Sequence, residues 1–465
     1  MSESLDTARP AARTGIPLCV AMDGALLPKE MVAEGVLKLV KRRPAALLGL
    51  PFWAVSGGGQ LSAQVDRRVD PDPRGLPYDE PLLDLIRTER ASGRRVILFS
   101  AGRPRLADAV AHHLGGFDHV VAIPGGRSAA ARSEFERRFG RGGFELLGPK
   151  SLGRRSDGNF RVWERTSHRS RWRSVLRALR WHQWLKNLLV FLPVLAGQQF
   201  DRPDVVLRAA LAFVAFSLVA SSVYVINDLL DLSEDRQHPT KHNRPFASGA
   251  LPLSSAPFLL TALLLGAGLI AARLLPTEFA WVLGVYVVLT FAYSLKLKGA
   301  VLIDVLILAG LYTMRIIAGS AATGITPSVW LLGFSLFFFL SLAMLKRYAE
   351  LHHRAGDWED ASTARLPGRG YRPGDLPVLI ALGIGTGCVA VLVLALYVIS
   401  DEFAIHYRRP LLLLQLCPLA LYWIGRAWIV ASRDEMDDDP VVWAVKDQLS
   451  RWVAAASVAI LVLAR

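Results

Sequence analysis

Asn227, Asp228, Asp231 and Asp235 stand close together after a long apolar run, in "VINDLLDLSEDRQHPTKHNRPFASG" (225–249). On a helix, residues spaced by three and four drift slowly along one face. The spacing therefore predicts four polar groups pointing into one cavity. A carboxylate at membrane depth costs about 2.5–3.5 kcal/mol on insertion scales, so three of them need a partner. A divalent cation suits clustered carboxylates best, and Mg²⁺ favours oxygen ligands together with substrate phosphates. Arg236, His238, Lys241 and Arg244 follow at once. Bases beside such a site fit a polyanionic substrate, with arginine able to grip phosphate bidentately. Pro239 and Pro245 keep the segment out of regular helix. The expected roles are metal holding and catalysis for Asp228, Asp231 and Asp235, and substrate binding for Asn227 and the four bases. The plain alternative is a charged loop capping a helix.

Three more places carry suitable groups. "FAYSLKLKGAVLID" (291–304) brings Tyr293, Lys296, Lys298 and Asp304. Tyr293, Lys296 and Lys298 are expected to hold phosphate, with Asp304 beside them as a substrate-binding residue, or else the lysines anchor the chain and Asp304 pairs with one of them. "LKRYAEL" (345–351) brings Lys346, Arg347 and Tyr348. Lys346 and Glu350 also have the spacing of a local ion pair. Lys186, beside Trp184, is either a substrate ligand or an interfacial anchor.

The chain that must position these groups has 465 residues, 52% hydrophobic, with a formal charge of +14. Up to about Trp181 the composition is mixed and rich in arginine. Beyond it, long apolar runs alternate with short polar ones. About 20 apolar residues make a spanning helix, and this rule gives about nine candidates. The first, Trp184 to Gly197, is short; the others centre near Phe213, Leu264, Val285, Leu308, Phe337, Leu392, Leu419 and Ala456. The fold class expected is an α-helical polytopic membrane protein with an N-terminal soluble α/β domain. Bases crowd the region before the first span and alternate connections after it. The positive-inside rule then puts the N-terminus and both polar motifs in the cytoplasm, and the C-terminus outside. Much of the positive charge serves orientation and contact with anionic membrane lipids. Nucleic acid is not an expected partner, because the bases sit at membrane boundaries. No cleavable signal is visible in residues 1–15, which read as a disordered lead. Cys19, Cys388 and Cys417 lack metal-ligand spacing and read as buried small hydrophobes.

"NDLLDLSEDR" resembles the N-D-x-x-D-x-x-x-D signature of the UbiA superfamily of intramembrane prenyltransferases. That resemblance implies nine helices around a cavity and Mg²⁺ acting on a diphosphate leaving group. It covers roughly Arg180 to the C-terminus. "DRQHPTKHNRPFASG" resembles the D-R-E-H-P-T-K-x-x-R-P segment of the decaprenyl-phosphate phosphoribosyltransferase branch. "HQWLKNLLVF" resembles that branch's R-P-x-Q-W-x-K-N, with Trp181 in place of the proline. The branch implies phosphoribosyl pyrophosphate as donor and a polyprenyl phosphate lipid as acceptor. Many relatives carry a second D-x-x-x-D; here Asp304 stands without its second acid, Leu308 occupying that position.

The N-terminal part reads strand, turn, helix, strand in "RRVILFSAGRPRLADAVAHHLGGFDHVVAI", a βαβ unit of a parallel sheet. It resembles the haloacid dehalogenase-like hydrolases. In their D-x-D-G-T motif the first Asp is the nucleophile. This chain has Ala21 there, keeps Asp23, offers Ser100 as the second motif, and has Pro149 where a metal-binding acid is expected. The resemblance therefore implies a degenerate, inactive domain. The stretch 40–55 resembles a cap insert or a membrane-surface segment. The expected organisation is a lead over 1–15, the α/β domain over 16–165, a basic linker over 166–180 and the transmembrane domain over 181–465.

The function expected is Mg²⁺-dependent transfer of 5-phosphoribose to a polyprenyl phosphate at the cytoplasmic side of the inner membrane. A polyprenyltransferase acting on an aromatic acceptor and a non-catalytic membrane scaffold are the alternatives. Chain length of the lipid and oligomeric state stay open, a homo-oligomer included.

Overall fold

The computed structural model describes residues 15–28, 31–42, 58–69, 72–123, 128–152, 160–163, 171–238, 240–353, 366, 368–400, 407–436 and 439–464. Residues 1–14 of the proposed lead, most of the 40–55 insert and Pro239 lie outside them. The chain divides into two compact units. One holds residues 1–179 and 224–261; the other holds 180–223 and 262–465.

The first unit is built on a parallel sheet. Leu18–Ala21 (β1) is an unbroken apolar run with all four residues buried, as a strand covered on both faces requires. The remaining strands are Val96–Ala101 (β2), His119–Ile123 (β3), Glu145–Gly148 (β4) and Phe160–Val162 (β5). Their order is β3-β2-β1-β4-β5, all parallel. Helices Met31–Arg42 (α1), Gly58–Arg68 (α2), Glu80–Ala91 (α3), Pro104–Leu114 (α4) and Ser128–Phe139 (α5) make the crossovers. β2, α4 and β3 are the βαβ unit legible in the sequence. Asp79 starts α3 by accepting from Leu82 N at 3.1 Å, which satisfies one of the orphan amides of a helix start. Cys19 is fully buried in this core, and burial pushes its thiol up to about 12.

Arg171–Leu179 (α6) leads to the second unit. Trp184–Gly197 is not the short α-helical span expected. It folds as a 3₁₀ helix over Trp181–Phe191 followed by the five-residue helix Leu192–Ala196 (α7). Pro193 helps explain the change of geometry, since it lacks an amide hydrogen and restricts the residue before it. This segment runs antiparallel to Pro203–Leu230 (α8): Trp184 Nε1 donates to Ser221 Oγ at 3.0 Å, and Asn187 Nδ2 donates to Ser217 Oγ at 3.0 Å. Phe191 meets Phe213 at 5.9 Å, and Val194 packs with Val205 and Ala209.

After α8 come Leu232–Gln237 (α9), Ser255–Leu274 (α10), Thr277–Leu295 (α11), Ile303–Thr323 (α12), Val329–His353 (α13), Leu376–Ile399 (α14), Leu416–Ser432 (α15), Pro440–Lys446 (α16) and Gln448–Ala464 (α17). Among the described residues seven helices are long and apolar enough to cross a membrane, or eight if α16 and α17, bent by 82°, form one broken span. The chain is a multi-pass membrane protein. Over its most apolar window α8 is 61% buried, against 22% for α10; α8 packs on protein and α10 largely on lipid. Cys388 and Cys417 are not buried as expected: the first is exposed and the second half-buried. Outward apolar groups on these helices meet lipid, which is as apolar as a core. Small residues let elements approach. A Cβ on Gly319 would stand 2.0 Å from the Val190 carbonyl oxygen, so α12 touches the 3₁₀ segment backbone to backbone.

Candidate functional site

The acidic motif does not form one continuous helical face. α8 ends at Leu230, and Asp231, with φ −97° and ψ 12°, is the N-cap of the separate helix α9. An aspartate suits that position, and the break re-aims the last acid. Asp228 is 2% exposed and Asp235 4%. Both turn to one cation: Arg244 Nη1 lies 3.3 Å from Asp228 Oδ1 and 2.5 Å from Asp235 Oδ2. Arg244 reaches them because the chain folds back through a turn at Lys241–Asn243, where Arg244 N donates to Lys241 O at 2.9 Å. Gly249, at φ +72°, completes the loop.

No three His, Cys, Asp or Glu side chains converge into a metal-holding cluster among the described residues. The pair Asp228 and Asp235 does fit a hard cation by its chemistry: two covered carboxylates already share one positive group. Asn227 accepts from Asp231 N at 2.9 Å through its carbonyl, and His238 Nδ1 is 3.3 Å from Thr240 N. Arg236 is not presented to a ligand. Its Nη1 pairs with Glu34 at 2.5 Å and its Nε donates to Ala247 O at 3.2 Å.

In the second unit the predicted residues sort into three places. Asp304 and Arg347 are both fully buried, with Nε and Nη2 of Arg347 each 2.9 Å from Asp304 Oδ2. Tyr371 donates to Asp304 Oδ1 at 2.6 Å, and Arg347 also meets Glu350. Asp304 thus pairs with neither lysine of its own loop, and Glu350 serves Arg347 rather than Lys346. Burial, with the Asp304 hydrogen bond, pushes the Tyr371 hydroxyl pKa up. Tyr293 Oη accepts from Arg369 at 2.9 Å, and Lys298 O accepts from the same guanidinium at 3.2 Å. Lys296 is exposed at the end of α11. Tyr348 is 4% exposed, packs on His352 and Trp428 at 5.3 and 5.7 Å, and lines a cavity with Trp428 and Cys388.

The third place joins Lys186 and Lys346, which meet at Asp439. Lys186 pairs with its Oδ2, and Lys346 lies 3.8 Å away. Asp439 Oδ1 also accepts from Val441 N at 3.0 Å, capping α16. Burial alone would raise the Asp439 carboxyl; the two lysines outweigh it and hold it below the usual carboxylate range. Nothing in "DEMDDDP" distinguished this acid from a solvated loop.

Sequence reading also missed Arg315, 6% exposed inside α12. Its Nε donates to Asn187 Oδ1 at 2.8 Å and its Nη2 to Tyr286 Oη at 3.1 Å. The rings of Tyr312 and Tyr286 lie 5.1 and 5.3 Å from its guanidinium carbon. A lone arginine in "LILAGLYTMRIIAG" was the available signal, because ionisable groups inside spans mark functional places by default.

At the C-terminal ends of β1 and β2, Ala21 is buried and Asp23 Oδ2 accepts from Ser100 Oγ at 3.1 Å. Arg103 pairs with the same carboxylate and is 3% exposed; burial lowers its pKa to about 10. Pro149 follows β4 and is buried. This edge, where strand order reverses around β1, is where open parallel sheets place ligands. Here its acid is occupied by an arginine of the chain.

The sequence model of the UbiA prenyltransferase family matches residues 188–453. The uncharacterized protein y4nM of Sinorhizobium fredii (strain NBRC 101917 / NGR234) is 32% identical over 97% of this chain and 91% of its own length. The decaprenyl-phosphate phosphoribosyltransferase of Mycobacterium tuberculosis (strain CDC 1551 / Oshkosh) is 40% identical over 183 residues, 38% of this chain and 60% of that protein. A UbiA homolog from Archaeoglobus fulgidus, solved bound to GPP and Mg²⁺, is similar at a TM-score of 0.45 and 17% identity, over 62% of this chain and 99% of that one.

Proposed function

The chain belongs to the UbiA prenyltransferase family, and from that premise we propose that it moves 5-phosphoribose from phosphoribosyl pyrophosphate to a polyprenyl phosphate. The carrying observation is the pair of covered carboxylates, Asp228 and Asp235, sharing Arg244 in a base-rich loop. The 40% identity to a decaprenyl-phosphate phosphoribosyltransferase supports the choice of substrates.

Asp228 and Asp235, with Asp231 at the break between their helices, are the residues that would hold Mg²⁺. Bound there, the ion supplies charge neutralisation to a departing diphosphate. Arg244 offers its guanidinium to phosphate oxygens. Lys186 and Lys346, which both pair with Asp439, offer ammonium groups to a phosphate. Holding the reactants in line supplies much of the acceleration of such a transfer. The lipid phosphate oxygen forms its bond to the anomeric carbon as the bond to diphosphate breaks. Diphosphate leaves with the electron pair, so no side-chain nucleophile is required.

On this reading the polar motifs and the α/β domain lie on the cytoplasmic side of the inner membrane. The α/β domain is a haloacid dehalogenase-like fold without phosphatase chemistry: Ala21 removes the nucleophile, and Arg103 occupies the remaining Asp23.

The test uses purified protein with Mg²⁺, labelled phosphoribosyl pyrophosphate and decaprenyl phosphate. A parallel reaction holds a polyprenyl diphosphate and 4-hydroxybenzoate. An acid-labile labelled lipid in the first, lost with EDTA and with Asp228→Ala, is expected. Prenylated aromatic product in the second alone would replace this reading with the aromatic-acceptor one.

A further inference from the structure

Glu34, in the first turn of α1, is 3% exposed. Its carboxylate takes Arg236 at 2.5 Å and Lys38, one turn along, at 3.0 Å. The Arg236 side chain is itself 7% exposed. Apolar contacts surround the pair: Ala33 packs against the cluster of Leu232, Phe246, Ala247 and Leu251. Nearby, the Gln237 side chain lies against Gly75, where a Cβ would stand 3.1 Å from Gln237 Cγ. The α/β domain therefore grips α9 at consecutive residues, one of which directly follows Asp235.

α9 has only six residues, far below the length at which a helix holds itself in water. Something outside it must fix its place. The Glu34–Arg236 pair is a buried, directional contact that does this. Removing the carboxylate would leave a guanidinium buried with its charge uncompensated, a state that proteins relieve by rearranging. The movable element is α9, and with it Asp235 and the Arg244 that Asp235 holds.

We propose that Glu34 is a positioning residue for the transferase site. Acting through Arg236, it fixes α9 and thereby sets where Asp235 and Arg244 stand, which makes the α/β domain a working part of the donor site. The kinetic part rests on the function proposed above; the link from Glu34 to α9 does not.

The test compares the full-length wild type with Glu34→Gln and Glu34→Ala in detergent. Amide hydrogen exchange is followed over 232–249, with 303–323 as an internal reference, and the KM for phosphoribosyl pyrophosphate is measured alongside. Exchange over 232–249 should rise in both variants while the reference stays unchanged. The donor KM should rise about 5- to 150-fold, the usual span of coupling between two places in a protein, with kcat much less affected. Glu34→Asp should recover part of the loss. Glu34→Gln keeps the side-chain volume, so it decides the matter even if Glu34→Ala fails to fold. A folded Glu34→Gln protein with unaltered exchange over 232–249 would overturn the proposal. Raised exchange in a protein that transfers no phosphoribose would instead overturn the substrate reading and leave the link standing.

Discussion

Asp304 and Arg347 allow a quantitative distinction between a substrate site and a structural pin. Both side chains are fully buried, joined by two contacts of 2.9 Å, and Tyr371 closes the acid's other oxygen at 2.6 Å. Changing Asp304 to Leu leaves Arg347 charged in the interior, with Glu350 at the rim, 23% exposed, as its remaining acid. Breaking a buried pair from one side costs about 3–5 kcal/mol. Arg347→Met strands Asp304 in the same way and should cost a similar amount. The double variant removes both charges and keeps comparable volume, and such replacements are often neutral. It should therefore recover most of the loss, to within about 1 kcal/mol of wild type once neighbouring contacts are allowed for. Tyr371→Phe removes the hydrogen bond to Asp304 and the one that Tyr371 Oη accepts from Leu302 N at 2.9 Å; the first, to a charged group, should alone cost about 1.5–3 kcal/mol. Denaturant unfolding in mixed micelles, read by tryptophan fluorescence, measures all four. Transfer activity is then measured on the folded fraction. If the single variants cost less than about 1 kcal/mol, or the double variant is as unstable as the two losses summed, the buried-pair argument fails. A stable double variant with transfer abolished would return Asp304 or Arg347 to the substrate site.

Two further outcomes follow from the second unit. The Asp439 carboxyl is held below its ordinary pKa by Lys186 and Lys346 against the opposing effect of burial; its stabilisation is complete above about pH 4, the unfolded aspartate value, and is lost as pH falls further. Asp439→Asn should be less stable than wild type at pH 7, and the difference should shrink as pH falls below about 4, as read by thermal unfolding across that range. Arg315→Met removes the donor to Asn187 and Tyr286; each buried group left unsatisfied costs about 1–3 kcal/mol, and adding Asn187→Leu should restore part of the stability lost in unfolding measurements.

What the sequence made legible was local. Apolar runs located α8 and α10 to α15, because a helix in lipid must be apolar over its whole length. The acids at 228, 231 and 235 were visible because helical spacing relates neighbours. Their true arrangement was not visible, since it depends on a helix break at Asp231 and an arginine arriving from a loop. The remaining site contacts are long-range. Lys186 and Asp439 are 253 residues apart, Arg236 and Glu34 202, and Arg347 and Asp304 43. No periodicity connects such pairs, so nothing local marked Asp439 or Glu34. Arg315 was overlooked for a different reason: one charge barely alters the apolarity of its window.

The 3₁₀ segment has a consequence for how the chain is threaded. A 3₁₀ helix rises about 2.0 Å per residue and an α-helix about 1.5 Å. Trp181–Phe191 and α7 together therefore reach about 30 Å, the thickness of the hydrocarbon layer, where the same residues in α form would fall several ångströms short. The stretched coil lies alongside α8 for much of its length, from Ser221 back to Val205. The chain is thus carried from the Ser221 end of α8 to its Val205 end by fewer residues than an α-helical partner would need. An under-length segment, wound more loosely, keeps pace with the longer helix beside it.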